Sequence, residues 1–373
     1  MGFSAGGEDG KVDKDDLKEE KVLKTLMELL STPSPTGGER PLLLMIRGRL
    51  EGRGFQCEEE EVKGAQRNLI AVRGKPRFLL ATHLDTVPPW GHPHATTPLA
   101  KDGEVWGRGA VDAKGQIAAL LMAVEDTEAP CSIALFCDEE GEGRGSRAFR
   151  PPPGLKGALV LEPTGLKLAV AEAGSVEVMV RMKGKAAHGT MPSSGKNAIE
   201  ELMEAYGELK SLPFLSLNHP LFPPFRPNIG YIRGGRDPQL VPDSCEAWID
   251  TPVPPGVDVE EARELIVGVF ERRGAEVRIK DLEPPWEMGE GDREVMELIA
   301  EAYRRALGIP PELWGMPSWT DAANLRQKGI MTLVLGAGDL ALAHTPEERI
   351  SIAEVYKLAV ILKELLELLQ VYP

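Results

Sequence analysis

Seven side chains able to bind a cation or move a proton gather at the polar ends of short apolar runs. His83 and Asp85 close RFLLATHLD (77–85), Glu139 and Glu140 close CSIALFCDEE (131–140), and Glu162 closes KGALVLEPT (156–164). His344 follows the last Asp of TLVLGAGD (332–339) by five residues, and Asp112 sits in GRGAVDAKG, where Gly107 and Gly109 permit a tight turn before a helix. His83 and Asp85 lie two apart, so an extended backbone points both to one side. Two imidazoles and four carboxylates, leaving Asp85 aside, suit divalent zinc, cobalt or manganese. They are too many for one tetrahedral ion and match two ions that share a carboxylate, with one carboxylate left over as general base. Taken singly, each residue has a plainer reading: Asp112 can cap the following helix, and Glu139 with Glu140 can form a solvated turn. Their convergence on the same strand ends sets the metal site level with the plainer readings, which spacing alone leaves open.

Short apolar runs bounded by Gly and Pro read as buried strands, and the helix pattern at 114–126 between two of them indicates an α/β layer. Ligand sites in such sheets lie outside the carboxyl ends of strands, where these residues fall. Helical periods also mark about 17–30, 40–53 and 294–308, and residues 1–16 read as a frayed tail. Between about 172 and 284 the texture changes. A strand at 174–186, a helix at 197–212, strands at 228–235 and 244–251, a helix near 258–272 and the strand AEVRIKDL follow one another. That is the ferredoxin-like order of a compact α+β unit. The expected fold is therefore α/β, a mixed sheet flanked by helices, formed by 1–171 and 285–373 and interrupted by an α+β insertion at 172–284.

The 373 residues suffice for two cores, and 58 acidic against 43 basic residues give a net charge of −15, which disfavours nucleic acid as a partner. No apolar run is long enough for a membrane span, the first residues lack an apolar signal core, and four scattered cysteines form no CxxC pair. The chain reads as cytoplasmic. There is no GxSxG elbow and no HExxH helix, and GEGRG (141–145) lacks the full dinucleotide fingerprint. His92, His94 and His219 read as surface or structural residues.

THLDTVP (82–88), DGEVWGRGAVDAKG (102–115), CDEEGEGRGS (137–146), LEPT (161–164), HGTMPSSGKNA (188–198) and ALAHTPEERISI (341–352) resemble, in order, the segments of the two-metal aminoacylase and carboxypeptidase family. That family embraces acetylornithine deacetylase, succinyl-diaminopimelate desuccinylase, glutamate carboxypeptidase and aminoacylase. The resemblance implies that His83 and Glu162 hold one ion, Glu140 and His344 the other, and Asp112 both. Asp85 then steers the His83 side, and Glu139 is the general base. It also implies a zinc-exopeptidase-like catalytic part and a homodimer formed through the insertion, with His188 reaching the partner's site to stabilise the oxyanion. One departure stands out. Where many members carry an Arg in Asp-x-Arg-x-Pro-Pro-Gly, a candidate carboxylate anchor, this chain has Pro252, and Gln239 stands where members often have Asn. Arg233 and Arg236 are the candidates for the missing charge, Asn197 is a further candidate contact that also suits a helix cap, and SWTD (318–321) resembles a substrate-side turn. The expected activity is hydrolysis of an N-acyl amino acid or related small amide. The alternatives are a carboxypeptidase or dipeptidase, and a non-catalytic relative.

Overall fold

The computed structural model describes the backbone of residues 14–371 and the side chains of 19–370. Of the expected tail, residues 1–13 lie outside this part, and Lys14 already begins a helix. Helices α1 (Lys14–Leu30) and α2 (Arg40–Glu51) lead into strands β1 (Gln56–Lys63), β2 (Gln66–Arg73) and β3 (Phe78–His83). The short strands β4 (Leu99–Lys101) and β5 (Glu104–Trp106) precede α3 (Gly115–Glu125), β6 (Cys131–Phe136), α4 (Arg144–Ala148), β7 (Gly157–Val160) and β8 (Leu168–Glu172). Next come β9 (Gly174–Lys183), α5 (Ala198–Leu209), β10 (Asn228–Gly234), β11 (Ser244–Val253), α6 (Val259–Glu271) and β12 (Glu276–Glu283). The chain then runs through β13 (Trp286–Glu287), α7 (Arg293–Leu307), β14 (Leu313–Met316), α8 (Asp321–Gln327), β15 (Met331–Val334), β16 (Arg349–Ser351) and α9 (Ile352–Val371).

The large sheet runs in the order β1-β2-β6-β3-β7-β15-β8-β13, with β14 beside β8. Its centre is parallel: β3 pairs β6 and β7, and β7 pairs β15. Parallel strands covered on both faces need apolar side chains at consecutive positions. Leu80, Ile133, Leu135 and Leu159 join the core that includes α3, α7 and α9, while Leu79, Ala81, Phe136 and Val160 join the core that includes α8. Because the four central strands run the same way, their carboxyl ends share one edge of the sheet, as the sequence pattern requires.

The expected ferredoxin-like unit is present, antiparallel throughout in the order β10-β11-β9-β12. Val176, Val178 and Val180 of β9 face one way, into a separate core with α5 and α6. A third, small sheet pairs β4, β5 and β16. Its hairpin turns at Asp102 and Gly103, both at positive φ, the arrangement that follows the natural twist of paired strands.

Asn68 of β2 ties the sheet to the loop that follows β6. Its amide donates to the Gly145 carbonyl (2.9 Å) and its oxygen accepts the Cys137 N–H (3.1 Å). Asn68→Ala orphans the buried Cys137 N–H and leaves the Gly145 carbonyl only its bond from Phe149, and should lower the unfolding free energy by about 1–3 kcal/mol in urea titrations. A loss below ~0.5 kcal/mol would contradict this role.

Candidate metal centre and active site

His83 ends β3, and its Nδ1 lies 2.9 Å from the Asp85 carbonyl, which fixes that nitrogen as a donor and turns Nε2 inward. There Nε2 meets Asp112 Oδ1 at 2.8 Å and Glu162 Oε1 at 3.7 Å. The Asp85 carboxylate, whose Oδ1 lies 3.6 Å from the same His83 nitrogen, also accepts the N–H groups of Glu139 (3.1 Å) and Glu140 (3.2 Å) and the Thr36 hydroxyl (2.8 Å). One residue thus orients the imidazole through its backbone and the Glu139–Glu140 loop through its side chain.

Asp112 leaves the turn after Gly109, whose φ of 85° and lack of room for a Cβ (Thr86 Cγ2 would lie at 2.7 Å) demand glycine. Its second oxygen, Oδ2, lies 3.3 Å from His344 Nε2, which also meets Glu140 Oε2 at 2.9 Å. Three donor groups result among the described residues, His83–Asp112–Glu162, Asp112–Glu140–His344 and His83–Glu139–Glu140, each with ligand atoms within 4.8 Å of one another. Asp112 joins the first two. Glu162 Oε1 is buried without a hydrogen-bond partner. An orphaned carboxylate oxygen beside an inward-facing imidazole nitrogen is a donor set that divalent cations fit. Asp112, Glu139, Glu140, Glu162 and His344 line a cavity of about 360 Å³, together with Trp90 and Trp319.

Residues 79–368 match the peptidase family M20/M25/M40. The chain is 31% identical over 320 residues to a Pyrobaculum aerophilum protein named as a LysW-lysine/LysW-ornithine hydrolase, covering 82% of this chain and 86% of that one. It is 30% identical over 348 residues to the acetylornithine deacetylase of Vibrio vulnificus, covering 85% and 88%. A tripeptidase from Staphylococcus aureus superposes with a TM-score of 0.79 at 22% identity, covering 94% of this chain and 98% of that one. The chain belongs to the M20/M25/M40 family. It is a hydrolase acting on amide or peptide bonds.

GEGRG is a turn rather than a phosphate cradle: Gly143, at φ 61°, lies under the Trp319 ring, where a Cβ would come within 2.6 Å. Asp138 organises that turn, accepting from Gln66, Arg144 and the Glu142 N–H. His188, Asn197, Arg233 and Arg236 sit on the ferredoxin-like unit, and none of them lines the carboxylate cavity of its own chain. His188 is exposed, with Nδ1 held by the Thr190 hydroxyl (2.8 Å). Asn197 caps α5 through its oxygen. Arg236 shares a groove of about 590 Å³ with Asn197 and Gly189, and Arg233 is exposed near the end of β10. Pro252 does line the cavity, beside Lys280, which is paired with Glu177.

Several participants were not legible as such. His92, expected at the surface, is buried, with Nε2 on the Glu348 carbonyl (2.9 Å). Asp321, the last residue of SWTD, is fully buried, with neither carboxylate oxygen hydrogen-bonded. Trp90, at φ 39°, sets its ring edge-on to His344 at 6.1 Å. None carries a periodic signal; only proximity in the fold reveals them.

The crowded charges shift one another. Burial, with Asp112 adding repulsion, pushes Glu140 up to about 7, and burial also lifts Asp321 to about 7 and Glu172 to about 8. Burial, followed by the charges of Glu162, Glu140 and Asp321, raises Glu139 well above the carboxylate range despite His83. Burial opposes a charged His344, but Asp112 and Glu140 outweigh it and carry the imidazole up to about 10. Folded carboxyls with raised values keep protons that the unfolded chain releases, so stability falls as pH rises from about 5 to about 8. His344 acts in the same direction above its unfolded value of 6.5. The metal-free protein should therefore show a thermal midpoint that drops between pH 5.5 and 8, with added metal raising it most at the upper end. A midpoint that rises with pH over this range, or ignores metal, would contradict the geometry.

Proposed function

We propose that this chain is a two-metal deacylase of N-acyl amino acids. The observation that carries the reading is the pair of donor sets joined by Asp112, with Glu139 placed against His83 and Glu140 and engaged in no cap or ion pair among the described residues. His83 and Glu162 would hold one cation, Glu140 and His344 the other, and Asp112 both. Zinc is the first choice for nitrogen and carboxylate donors, with cobalt or manganese next. When bound, such a pair polarises a carbonyl and makes water nucleophilic near neutral pH.

The protein's own residues do the rest. Glu139 takes a proton from the attacking water and returns it to the departing nitrogen, so that amide and water leave as carboxylate and amine. Burial gives this carboxyl the raised basicity that a proton shuttle needs. Asp85 is a positioning residue, holding the Glu139–Glu140 backbone while aiming His83.

Residues 172–284 are read as an inserted dimerisation unit and 1–171 with 285–373 as the catalytic unit, on the strength of the separate core under β9–β12. His188 would then serve the partner's site, where its free Nε2–H stabilises the oxyanion. Arg236 and Asn197, which line one groove on the same unit, would supply the anchor that Pro252 lacks, with Arg233 behind them. The relatives' names, acetylornithine deacetylase and LysW-lysine/LysW-ornithine hydrolase, favour an acylated amino acid. A carboxypeptidase or dipeptidase uses the same centre, and the pocket decides between them. A cytoplasmic setting suits the four free cysteines, and no described helix is long and apolar enough to cross a membrane.

Glu139→Gln should abolish turnover across a panel of N-acetyl and N-succinyl amino acids and dipeptides while metal content stays near wild type. His188→Ala should reduce kcat by about 10²–10³. Mixing these two inactive variants should restore about one quarter of wild-type activity, since half the dimers are mixed and each regains one site of two. No restoration would remove the partner's His188 from the site. A fully metal-loaded wild type that cleaves nothing in the panel would favour a binding role.

A further inference from the structure

Behind the centre lies a buried ion pair outside both donor sets, Arg108 with Glu348, at 4% and 0% exposure. We infer that this pair is a clamp that positions the second cation site, Asp112–Glu140–His344, in preference to the first. The inference rests on the two-metal reading above.

The bonding pattern carries it. Glu348 Oε1 accepts the backbone N–H groups of Val111 (3.0 Å) and Asp112 (3.3 Å), and so sets the backbone from which the shared carboxylate projects. Glu348 Oε2 receives the Arg108 guanidinium. Arg108 Nη2 donates to the His344 carbonyl (3.3 Å) and to the Pro89 carbonyl (3.0 Å), and its Nε donates to the Pro88 carbonyl (3.1 Å). The Glu348 carbonyl takes the Gly107 N–H (3.3 Å) and His92 Nε2 (2.9 Å). A planar fork facing three carbonyls and a carboxylate is a geometry that lysine cannot reproduce.

Two segments that supply ligands to the second site thus meet on one ion pair: the Asp112 turn and the His344 loop. His344 sits at φ 65°, a backbone conformation that non-glycine residues rarely hold without support, and its carbonyl is the one Arg108 grips. Arg108 also holds the carbonyls just before Trp90, whose ring lies against His344. The first site does not depend on these bonds in the same way. His83 is aimed by the Asp85 carbonyl, and Glu162 follows β7 directly. Only Asp112 is common to both.

The test is metal titration of full-length Glu348→Ala, Glu348→Gln, Arg108→Met and Arg108→Lys, with elemental analysis at limiting zinc and the thermal midpoint of each metal-free protein. In Arg108→Met and Arg108→Lys, one equivalent should keep wild-type affinity while the other weakens about 10- to 100-fold; Glu348→Ala, which also frees the backbone of the shared Asp112, should weaken the two unequally. Glu348→Gln should recover part of the loss, because its oxygen still accepts from Val111 and Asp112. If Glu348→Ala or Arg108→Met does not fold, Glu348→Gln and Arg108→Lys carry the comparison. Equal weakening of both equivalents, or affinities unchanged in folded variants, overturns the inference. A wild type that binds fewer than two ions overturns the two-metal reading instead.

Discussion

Four buried or nearly buried carboxylates stand around two imidazoles in one pocket: Asp112, Glu139, Glu140 and Glu162 with His83 and His344. Burial makes each negative charge expensive, and mutual repulsion adds to the expense. Without cations the cluster resolves this by holding protons, which is why Glu139, Glu140 and Glu162 are all shifted upward while Asp112, gripped by both imidazoles, is shifted down. A sequence under pressure for stability alone would not retain such a cluster. Its presence, and the unpartnered oxygen of Glu162, make sense as a site held ready for positive charge.

The rest of the fold follows from the need to bring those groups together and hold them still. Parallel strands β3, β6, β7 and β15 deliver their carboxyl ends to one edge, so residues separated by over two hundred positions become neighbours without long connecting loops. Cores on both faces keep that edge rigid. Around it, hydrogen bonds accepted by Asp85 and Asp138 and donated by Asn68 and Arg108 fix the loops that the strands leave free. The ferredoxin-like unit stands across the cavity, contributing Ser175, Asp250, Pro252 and Lys280 to its wall.

Much of this was legible in the order of residues. The apolar runs ending in His83, Glu140 and Glu162 became β3, β6 and β7 with boundaries shifted by a few residues, because continuous apolar pairing has only one stable outcome when both sheet faces are covered. The βαββαβ unit was legible through its two-residue alternation. Less visible was the hairpin of β1 and β2: β1 reads QCEEEEVK, and its glutamates bond Arg40, Arg47 and Asn68 rather than presenting an apolar face. The long helix α9 is also hard to see in the sequence, since leucines buried on several sides blur the amphipathic period. Glu348 and Asp321 lie in segments that the resemblance marks, ALAHTPEERISI and SWTD, but their burial and partners are not legible from local pattern. Glu348 bonds a partner 240 positions away, and nothing in the intervening sequence encodes that meeting.

The central claim is that one shared carboxylate joins two cation sites. The most direct measurement is anomalous diffraction from crystals of the protein loaded with zinc, recorded on both sides of the metal edge. The account predicts two peaks, one among His83, Asp112 and Glu162 and one among Asp112, Glu140 and His344, with Asp112 between them and Glu139 bound to neither. A single peak, peaks remote from these residues, or Glu139 acting as a ligand would contradict it.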